Sequence, residues 1–180
     1  MASALLTLVN TIRKNKATLA LARTATRLIP DVPYTTNMRG VGPLRIRLRR
    51  HRYHLWEDPI VADQVLVSMF AHIIRKGDVV YDVGANIGLF SRLFITRFGA
   101  SRVLAFEPMT ENLELLRANT ALAKLESRTD VLSTALSDHD GEEELQVDDM
   151  MSGSAVLNSV SGGKPSSGRE KYGLPPATEK

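Results

Sequence analysis

Cysteine is missing from all 180 residues of the sequence. Its absence excludes a disulfide framework, a thiolate zinc site and a cysteine nucleophile. Long apolar runs are missing too, and none approaches the roughly 18–20 residues that a bilayer-spanning helix needs. With 43% apolar and 24% charged residues, the composition is that of an ordinary globular domain and excludes wholesale disorder. These bulk properties predict one folded domain and leave its chemistry open.

Acidic residues are almost absent from residues 1–52, which hold 11 lysines and arginines and one acid, Asp31. The rest of the chain holds 12 basic and 19 acidic residues. This break predicts a basic N-terminal extension, residues 1–52, joined to an α/β domain over residues 53–150. A tail rich in Ser, Gly and Pro follows over residues 151–180, and no strand or crossover helix is predicted in it from residue 152 onward.

Two elements are predicted within the basic extension. Residues 1–28 contain no acid and carry apolar residues at helical spacing, which is typical of a helix packed on the body, a transit peptide or a helix on an anionic membrane. Residues 44–49 alternate apolar residues with arginine, which predicts an amphipathic strand. Its cationic face is interpreted as solvated, with phosphate or another acidic ligand as the alternative. We expect a cytoplasmic protein or, alternatively, an organelle-targeted one, and no nucleic-acid partner.

Strands and helices alternate through residues 53–150, which predicts a parallel sheet with helical crossovers. The first helix is expected to begin at Asp58 and Pro59 and to end before Gly77. Its inward face is predicted to carry Ile60, Val61, Val65, Met69, Phe70, Ile73 and Ile74. The elements that follow are a strand over 79–81, a helix from 87 to 98, a strand over 103–106, a helix over 110–125, a strand over 131–136 and a short strand near 144–147.

Gly84 and Gly88 flank the turn between the first of these strands and the helix that follows. Glycine allows a tight turn and lets a ligand approach the backbone without meeting a Cβ atom. The helix start behind the turn offers unpaired N–H groups and a positive dipole end, which suit a carboxylate or phosphate. Glu107 ends the neighbouring strand, 19 residues beyond Gly88, where a carboxylate can accept hydrogen bonds from ribose hydroxyls. A nucleoside-containing cofactor is therefore predicted.

The residue types in the turn discriminate between classes of nucleoside cofactor. The dinucleotide pattern G-x-G-x-x-G is not matched, because Asn86 stands at its second glycine and Leu89 at its third. A P-loop is excluded because no Gly-Lys-Ser/Thr follows. A NAD-dependent oxidoreductase is thus a disfavoured alternative, and a non-catalytic, partner-binding remnant of an enzyme domain is the other.

The string Gly-Asp-Val-Val-Tyr-Asp-Val-Gly-Ala-Asn-Ile-Gly at residues 77–88, followed by Ala-Phe-Glu-Pro at 105–108, resembles the FkbM-like branch of class I S-adenosylmethionine-dependent methyltransferases. Ala-Leu-Ser-Asp at 135–138 and Gly141 resemble the same branch. The resemblance extends over residues 77–147. It implies a Rossmann-like class I methyltransferase fold with a parallel-sheet core, here incomplete at the C-terminus, and S-adenosyl-L-methionine as the cofactor.

The resemblance also implies roles for the residues of the turn. Asp82 and Gly84 would lie beside the amino-acid moiety of the cofactor. Asn86 and Gly88 would complete the turn around it. The resemblance thus assigns all four residues to cofactor binding.

Three further residues are assigned to the nucleoside. Glu107 would hold the ribose, Pro108 would border the adenine, and Asp138 would face the adenine amino group. The implied reaction is O-methylation of a hydroxyl on a small molecule or glycan, namely a sugar, lipid or secondary metabolite. No residue is assigned as a catalytic base. The acidic cluster at residues 138–140 and 148–149 is interpreted as a solvated turn, so no metal is predicted.

Overall fold

The structure is a computed structural model that describes residues 30–38, 40–51, 54, 64–142, 145–146 and 156–157. The helix predicted within residues 1–28, the beginning of the helix predicted from Asp58, and most of the tail lie outside the described residues. Within the described part of the chain, no helix is both long enough and apolar enough to cross a membrane.

The described elements form a small parallel sheet, its connecting helices, and two antiparallel strand pairs. In chain order they are β1 (Pro33–Met38), β2 (Gly42–Arg47), α1 (Gln64–Ile73), β3 (Val79–Val83), α2 (Leu89–Thr96), β4 (Arg102–Phe106), α3 (Thr110–Leu122), a 3₁₀ turn (Glu126–Arg128), β5 (Thr129–Leu132), β6 (Leu145–Gln146) and β7 (Val156–Leu157). The parallel sheet has the order β3-β4-β5, with α2 and α3 as its connections. The predicted parallel α/β architecture is confirmed.

The central strand β4 anchors the core of the sheet. It pairs in parallel with β3 from Val79↔Arg102 to Val83↔Phe106, and with β5 on its other side. Val103 and Ala105 are completely buried in a cluster with Phe94 of α2 and Leu116 of α3. Both helices therefore cover one face of the sheet, and the paired register brings the ends of β3 and β4 to the same edge.

The inward face predicted for the first helix is wrong in part. Val65, Met69 and Ile73 are 77%, 50% and 66% exposed, whereas Phe70 packs edge-to-face on Phe94 with ring centroids 5.0 Å apart. Ile74, just after the helix, is partly buried against the same cluster. Apolar residues lie on several sides of this helix, so the spacing of its apolar residues does not determine its inward side. The contact of Phe70 with Phe94 does.

Two strand predictions are also corrected. The third parallel strand covers Thr129–Leu132 and not residues 131–136, because the 3₁₀ turn after α3 delivers the chain to β4 two residues earlier. The tail, in which no strand was expected, contributes β7, which pairs antiparallel with β6. A two-residue pairing of this kind leaves no periodic signal in a Ser- and Gly-rich segment.

The predicted amphipathic strand is confirmed as β2, the second strand of an antiparallel hairpin with β1. Leu44 and Ile46 are completely buried, and they pack in one cluster with Ile87, which lies in the turn before α2, and with Leu115 of α3. Each fully buried aliphatic side chain of this kind stabilises the fold by about 1.5–3 kcal/mol. The hairpin is thereby fixed to the helices of the α/β domain, while the domain boundary at residue 52 stays a prediction.

Arg47, on the opposite, cationic face of β2, and Arg50, just beyond the strand, both pair with carboxylates of the same chain. Asp31 Oδ2 lies 3.0 Å from Arg47 Nε and 3.2 Å from Arg50 Nε, and Arg50 also pairs with Glu111. Burial alone would raise the pKa of Asp31, but the hydrogen bonds and charges of the two arginines hold it below its usual value. Arg47, one of the arginines considered for an acidic ligand, is thus already paired within the fold.

Candidate functional site

Residues 84–88, here called the glycine turn, connect β3 to α2. Gly84, Asn86 and Gly88 all have left-handed backbone angles, with φ of +76°, +51° and +83°. Glycine adopts this region freely, and asparagine is among the few other residues that tolerate it. The N–H groups of Gly84 and Ala85 both donate to the carbonyl of Phe106 at 2.9 Å. The turn is therefore fastened to the end of β4 as it leaves the sheet.

Glu107 lies directly against the glycine turn, as the sequence predicted from the strand order. Its side chain is buried, and Oε2 accepts the backbone N–H of Asn86 at 2.8 Å. Oε1 accepts the N–H of Met109 at 2.9 Å. A carboxylate has about four lone-pair sites, so each oxygen retains one acceptor position for another donor. The structure thus holds a fixed negative charge at the turn with capacity for two more hydrogen bonds.

The two predicted glycines differ in what surrounds them. A Cβ atom on Gly84 would meet no heavy atom within 4 Å, so this position faces open space. A Cβ on Gly88 would lie 2.5 Å from Cδ1 of Leu116. Gly88 is therefore required for close packing of the turn against α3, whereas Gly84 leaves room for a ligand.

Asp82 stands at the fourth position of β3 and turns toward α2. Its Oδ2 accepts the hydroxyl hydrogen of Ser91, a buried residue in the first turn of α2. Burial raises the pKa of the Asp82 carboxyl, and the negative charge of Glu107 raises it further. The structure therefore places Asp82 within electrostatic reach of Glu107, while its role beside the cofactor's amino-acid moiety stays a prediction.

Pro108 and Asp138 occupy different surroundings. Pro108 is half-buried immediately after Glu107, at the same end of the sheet. The Asp138 side chain is 96% exposed, and its hydrogen bonds among the described residues are with Ser137 and His139. The hydrogen bond with His139 lowers the pKa of Asp138. No described contact ties Asp138 to the glycine turn, so its assignment to adenine stays a prediction.

Two residues that sequence reasoning did not assign also support the site. Asn119 of α3 donates to the carbonyl of Ile87 at 2.8 Å, and its amide group pairs with the backbone of Arg45 in β2. His51 is buried just beyond β2, where its Nδ1 accepts the backbone N–H of Arg47 at 3.1 Å. Burial lowers the pKa of His51 to about 4, and the side chain of Asn86 is among the groups that oppose this shift. Asn119 is a polar residue on the apolar face of a helix, which is a usable signal. His51 is 35 residues from Asn86 and leaves no local pattern.

Comparison with known proteins identifies the family to which this glycine turn and Glu107 belong. The sequence matches the FkbM methyltransferase domain over residues 82–178, more than half of the chain, and the match begins at Asp82. The chain belongs to the FkbM methyltransferase family. The resemblance drawn from the turn and from Ala-Phe-Glu-Pro is thereby confirmed.

Two curated proteins are similar in sequence to part of this chain. AMB antimetabolite synthetase AmbE of Pseudomonas aeruginosa is 45% identical over 71 residues, which are 39% of this chain and 3% of AmbE. The 31-O-demethyl-FK506 methyltransferase FkbM of Streptomyces tacrolimicus is 41% identical over 68 residues, 38% of this chain and 25% of that protein. The matched part of the chain therefore spans a quarter or less of the length of these relatives.

Solved structures similar to the FkbM methyltransferase domain include two from Pyrococcus horikoshii. The putative transferase PH0793 is 22% identical with a TM-score of 0.45, covering 59% of this chain and 37% of that one. TYW2 in complex with MeSAdo is 23% identical with a TM-score of 0.48, covering 63% and 40%. The assignment of this chain to a Rossmann-like α/β methyltransferase fold follows from its parallel sheet and its family.

Proposed function

We propose that the glycine turn and Glu107 bind S-adenosyl-L-methionine and that the domain methylates a hydroxyl oxygen. The observation that carries this proposal is the buried Glu107 carboxylate, held against the turn by the N–H of Asn86 at 2.8 Å. Carboxylates at this position, one strand away from a glycine turn, are suited to bind the vicinal hydroxyls of a ribose. The chain's membership of a methyltransferase family supports a cofactor that contains an adenosyl group.

The residues at the turn fit such a cofactor. The space beside Gly84 is open, so backbone and ligand can approach closely there. Each oxygen of Glu107 has one acceptor position left after its contact with a backbone N–H, which matches two ribose hydroxyls. Hydrogen bonds to a charged, buried group contribute about 1.5–3 kcal/mol, so Glu107 would supply a large share of nucleoside affinity.

The chemistry of the bound cofactor is simple: it supplies an electrophilic methyl group on a sulfonium. Residues of this chain act by holding the nucleoside in one orientation, with Glu107 on the ribose and Gly84 leaving the backbone accessible. Methyl transfer is an in-line displacement, which is accelerated by alignment of the acceptor oxygen and exclusion of water. Rigid anchoring of the turn to β4 contributes to that alignment, because the turn cannot shift without breaking two hydrogen bonds to Phe106.

The acceptor class is proposed from one relative. The protein of Streptomyces tacrolimicus is named a 31-O-demethyl-FK506 methyltransferase, so its name describes methylation at an oxygen. We extend that class to this chain as a hydroxyl of a sugar, lipid or secondary metabolite.

Isothermal titration of the 180-residue chain tests the cofactor directly. S-Adenosylmethionine and S-adenosylhomocysteine are expected to bind at one site per chain and to compete with each other. NAD is expected not to bind, because Asn86 and Leu89 replace two glycines of the dinucleotide pattern. Binding of NAD alone would replace the proposal by an oxidoreductase. A folded chain, checked by circular dichroism, that binds none of the three would favour a partner-binding remnant.

A further inference from the structure

The β1–β2 hairpin lies outside the segment that matches the family, residues 82–178, yet it packs against the glycine turn. Leu44 and Ile46 of β2 share one buried cluster with Ile87, the fourth residue of the turn. Apolar packing is non-directional, so this cluster fixes the position of Ile87 without fixing the direction of its peptide groups. A directional contact is needed to do that.

Asn119 of α3 supplies the directional contact between hairpin and turn. It is 3% exposed. Its Oδ1 accepts the backbone N–H of Arg45 at 2.6 Å, while its Nδ2 donates to the carbonyl of Arg45 at 2.9 Å and to that of Ile87 at 2.8 Å. A primary amide is planar and has two N–H donors, so the pair of bonds to Arg45 fixes the direction of the donor that holds Ile87. The hairpin backbone thus orients the amide that holds the turn.

The glycine turn is fastened from two sides. Its first half is held by the sheet, because the N–H groups of Gly84 and Ala85 donate to the carbonyl of Phe106. Its second half is held by Asn119 through the carbonyl of Ile87. The conformation of the second half therefore depends on α3 and the hairpin.

Asn86 lies where the two halves meet. Its N–H donates to Oε2 of Glu107 at 2.8 Å, so the direction of that N–H helps to place the carboxylate. Its φ of +51° is left-handed, a conformation that a residue other than glycine keeps only when its surroundings impose it. The carbonyl that Asn119 holds belongs to the next residue, Ile87. Rotation of the backbone at Ile87 would therefore pass to Asn86 and change its contact with Glu107.

We propose that Asn119 is a positioning residue of the cofactor site, which fixes the second half of the glycine turn and, through the N–H of Asn86, the carboxylate of Glu107. This inference rests on the proposed function, since the turn is the proposed S-adenosylmethionine site. Because the backbone of Arg45 orients the amide, the basic N-terminal hairpin is part of the methyltransferase site and sets cofactor affinity from outside the segment that matches the family.

The test compares variants of the 180-residue chain. Asn119→Ala removes the amide and is compatible with a helix. Asn119→Asp keeps an oxygen for the N–H of Arg45, but its carboxylate has no N–H donor for the carbonyl of Ile87. Leu125→Ala is the stability control, because it removes a buried side chain from the core of the sheet and leaves the Asn119 amide in place. Calorimetric titration measures affinity for S-adenosylhomocysteine, and urea unfolding shows that each variant is folded under the conditions of the titration.

Asn119→Ala and Asn119→Asp are both expected to weaken binding of S-adenosylhomocysteine about tenfold. The loss of one hydrogen bond can reduce the fraction of molecules with the binding geometry to about one in ten, and the apparent Kd rises in inverse proportion. Leu125→Ala should lower stability and change Kd less than about twofold.

A double variant tests whether the effect passes through the carboxylate. In a Glu107→Ala background, Asn119→Ala should change Kd less than about twofold, because the group that Asn119 helps to place is already gone. Wild-type affinity in either Asn119 variant, an equal loss in Leu125→Ala, or a full tenfold loss in the Glu107→Ala background would overturn the proposal.

Amide hydrogen exchange, followed by NMR, needs no ligand and separates the two halves of the turn. Asn119→Ala is expected to speed exchange of the Asn86 amide about tenfold, while the Ala85 amide, which is bonded to the sheet, exchanges as in wild type. Equal changes at both amides, or no change at Asn86, would refute the positioning role.

A measurement on wild type decides the case if neither Asn119 variant folds. Coupling is reciprocal, so a ligand whose binding depends about tenfold on the Asn119 contact must strengthen that contact about tenfold when it binds. Saturating S-adenosylhomocysteine should therefore slow hydrogen exchange of the Asn119 side-chain amide, and unchanged exchange would overturn the inference. If wild type binds no S-adenosylhomocysteine, the proposed function fails, and exchange at Asn86 in Asn119→Ala still shows whether Asn119 orders the turn. If wild type and Asn119→Ala bind equally, the inference fails and the proposed function stands.

Discussion

Replacing Gly84 by alanine adds one methyl group to the glycine turn at a place where the protein itself has room for it. The new Cβ would meet no heavy atom within 4 Å, so the substitution creates no clash. The remaining cost is conformational, because Gly84 has φ of +76° and an L-residue pays about 1–2 kcal/mol to adopt the left-handed region. Alanine at this position should therefore destabilise the fold only modestly.

Gly77 offers a matched control for this substitution. It has φ of +96°, a Cβ there would also meet nothing within 4 Å, and it lies in the exposed turn between α1 and β3. Gly77→Ala should therefore lose about the same 1–2 kcal/mol of unfolding free energy as Gly84→Ala. The two variants differ in one respect, namely whether the added methyl group projects into the proposed ligand space.

The ligand then separates the variants. At a concentration 100 times Kd, S-adenosylhomocysteine should raise the unfolding free energy by about 2.7 kcal/mol in wild type and in the Gly77→Ala control, which both keep Gly84. A methyl group that displaces the cofactor from the glycine turn would weaken binding about tenfold, which reduces that stabilisation to about 1.4 kcal/mol at the same concentration. Urea unfolding with and without ligand measures both values. Equal ligand stabilisation of Gly84→Ala and Gly77→Ala would refute the placement of the cofactor at Gly84.

Three further predictions address neighbouring groups. Glu107→Gln should weaken S-adenosylhomocysteine binding about 10- to 150-fold in calorimetric titration, because an amide nitrogen cannot accept a ribose hydroxyl; a change under about twofold would place the ribose elsewhere. Gly88→Ala should cost about 2–5 kcal/mol in urea unfolding, since its Cβ would lie 2.5 Å from Leu116 at a φ of +83°; a loss under about 1 kcal/mol would show that Leu116 moves aside. Burial lowers the pKa of His51 to about 4 and that of His54 to about 3, so the unfolded chain binds more protons than the folded chain as pH falls from about 6.5 to 4. Between pH 6.5 and about 4, the unfolding free energy of wild type should fall by up to about 3 kcal/mol more than that of His51→Leu, and above pH 6.5 the difference between the two proteins should stay constant. If urea unfolding gives the same pH dependence for both proteins, the ring of His51 is not a buried neutral imidazole.

What the sequence could predict was set by how far apart the interacting residues lie along the chain. The contact between Glu107 and Asn86 was predictable, because neighbouring parallel strands end at one edge and each is followed by its own loop. The amphipathic strand β2 was predictable because strict alternation of apolar residues and arginine is typical of a half-buried strand. The inward face of α1 was not, since the choice depends on the ring of Phe70 meeting Phe94 from another helix. The contact of Asn119 with Arg45 had no local signal, because it joins residues 74 positions apart and forms only through tertiary packing.

The structure also shows that the two glycines of the turn have different roles, which the sequence motif does not distinguish. Gly84 faces open space, so the absence of a side chain there leaves room for a ligand to approach the backbone of the turn. Gly88 faces Leu116, so its lack of a side chain serves the packing of the turn on α3. Asn86 stands between them with φ of +51°, a backbone conformation that both glycine and asparagine tolerate. The hairpin is coupled to this turn through Asn119, whose amide group hydrogen-bonds the backbone of both Arg45 in β2 and Ile87 in the turn.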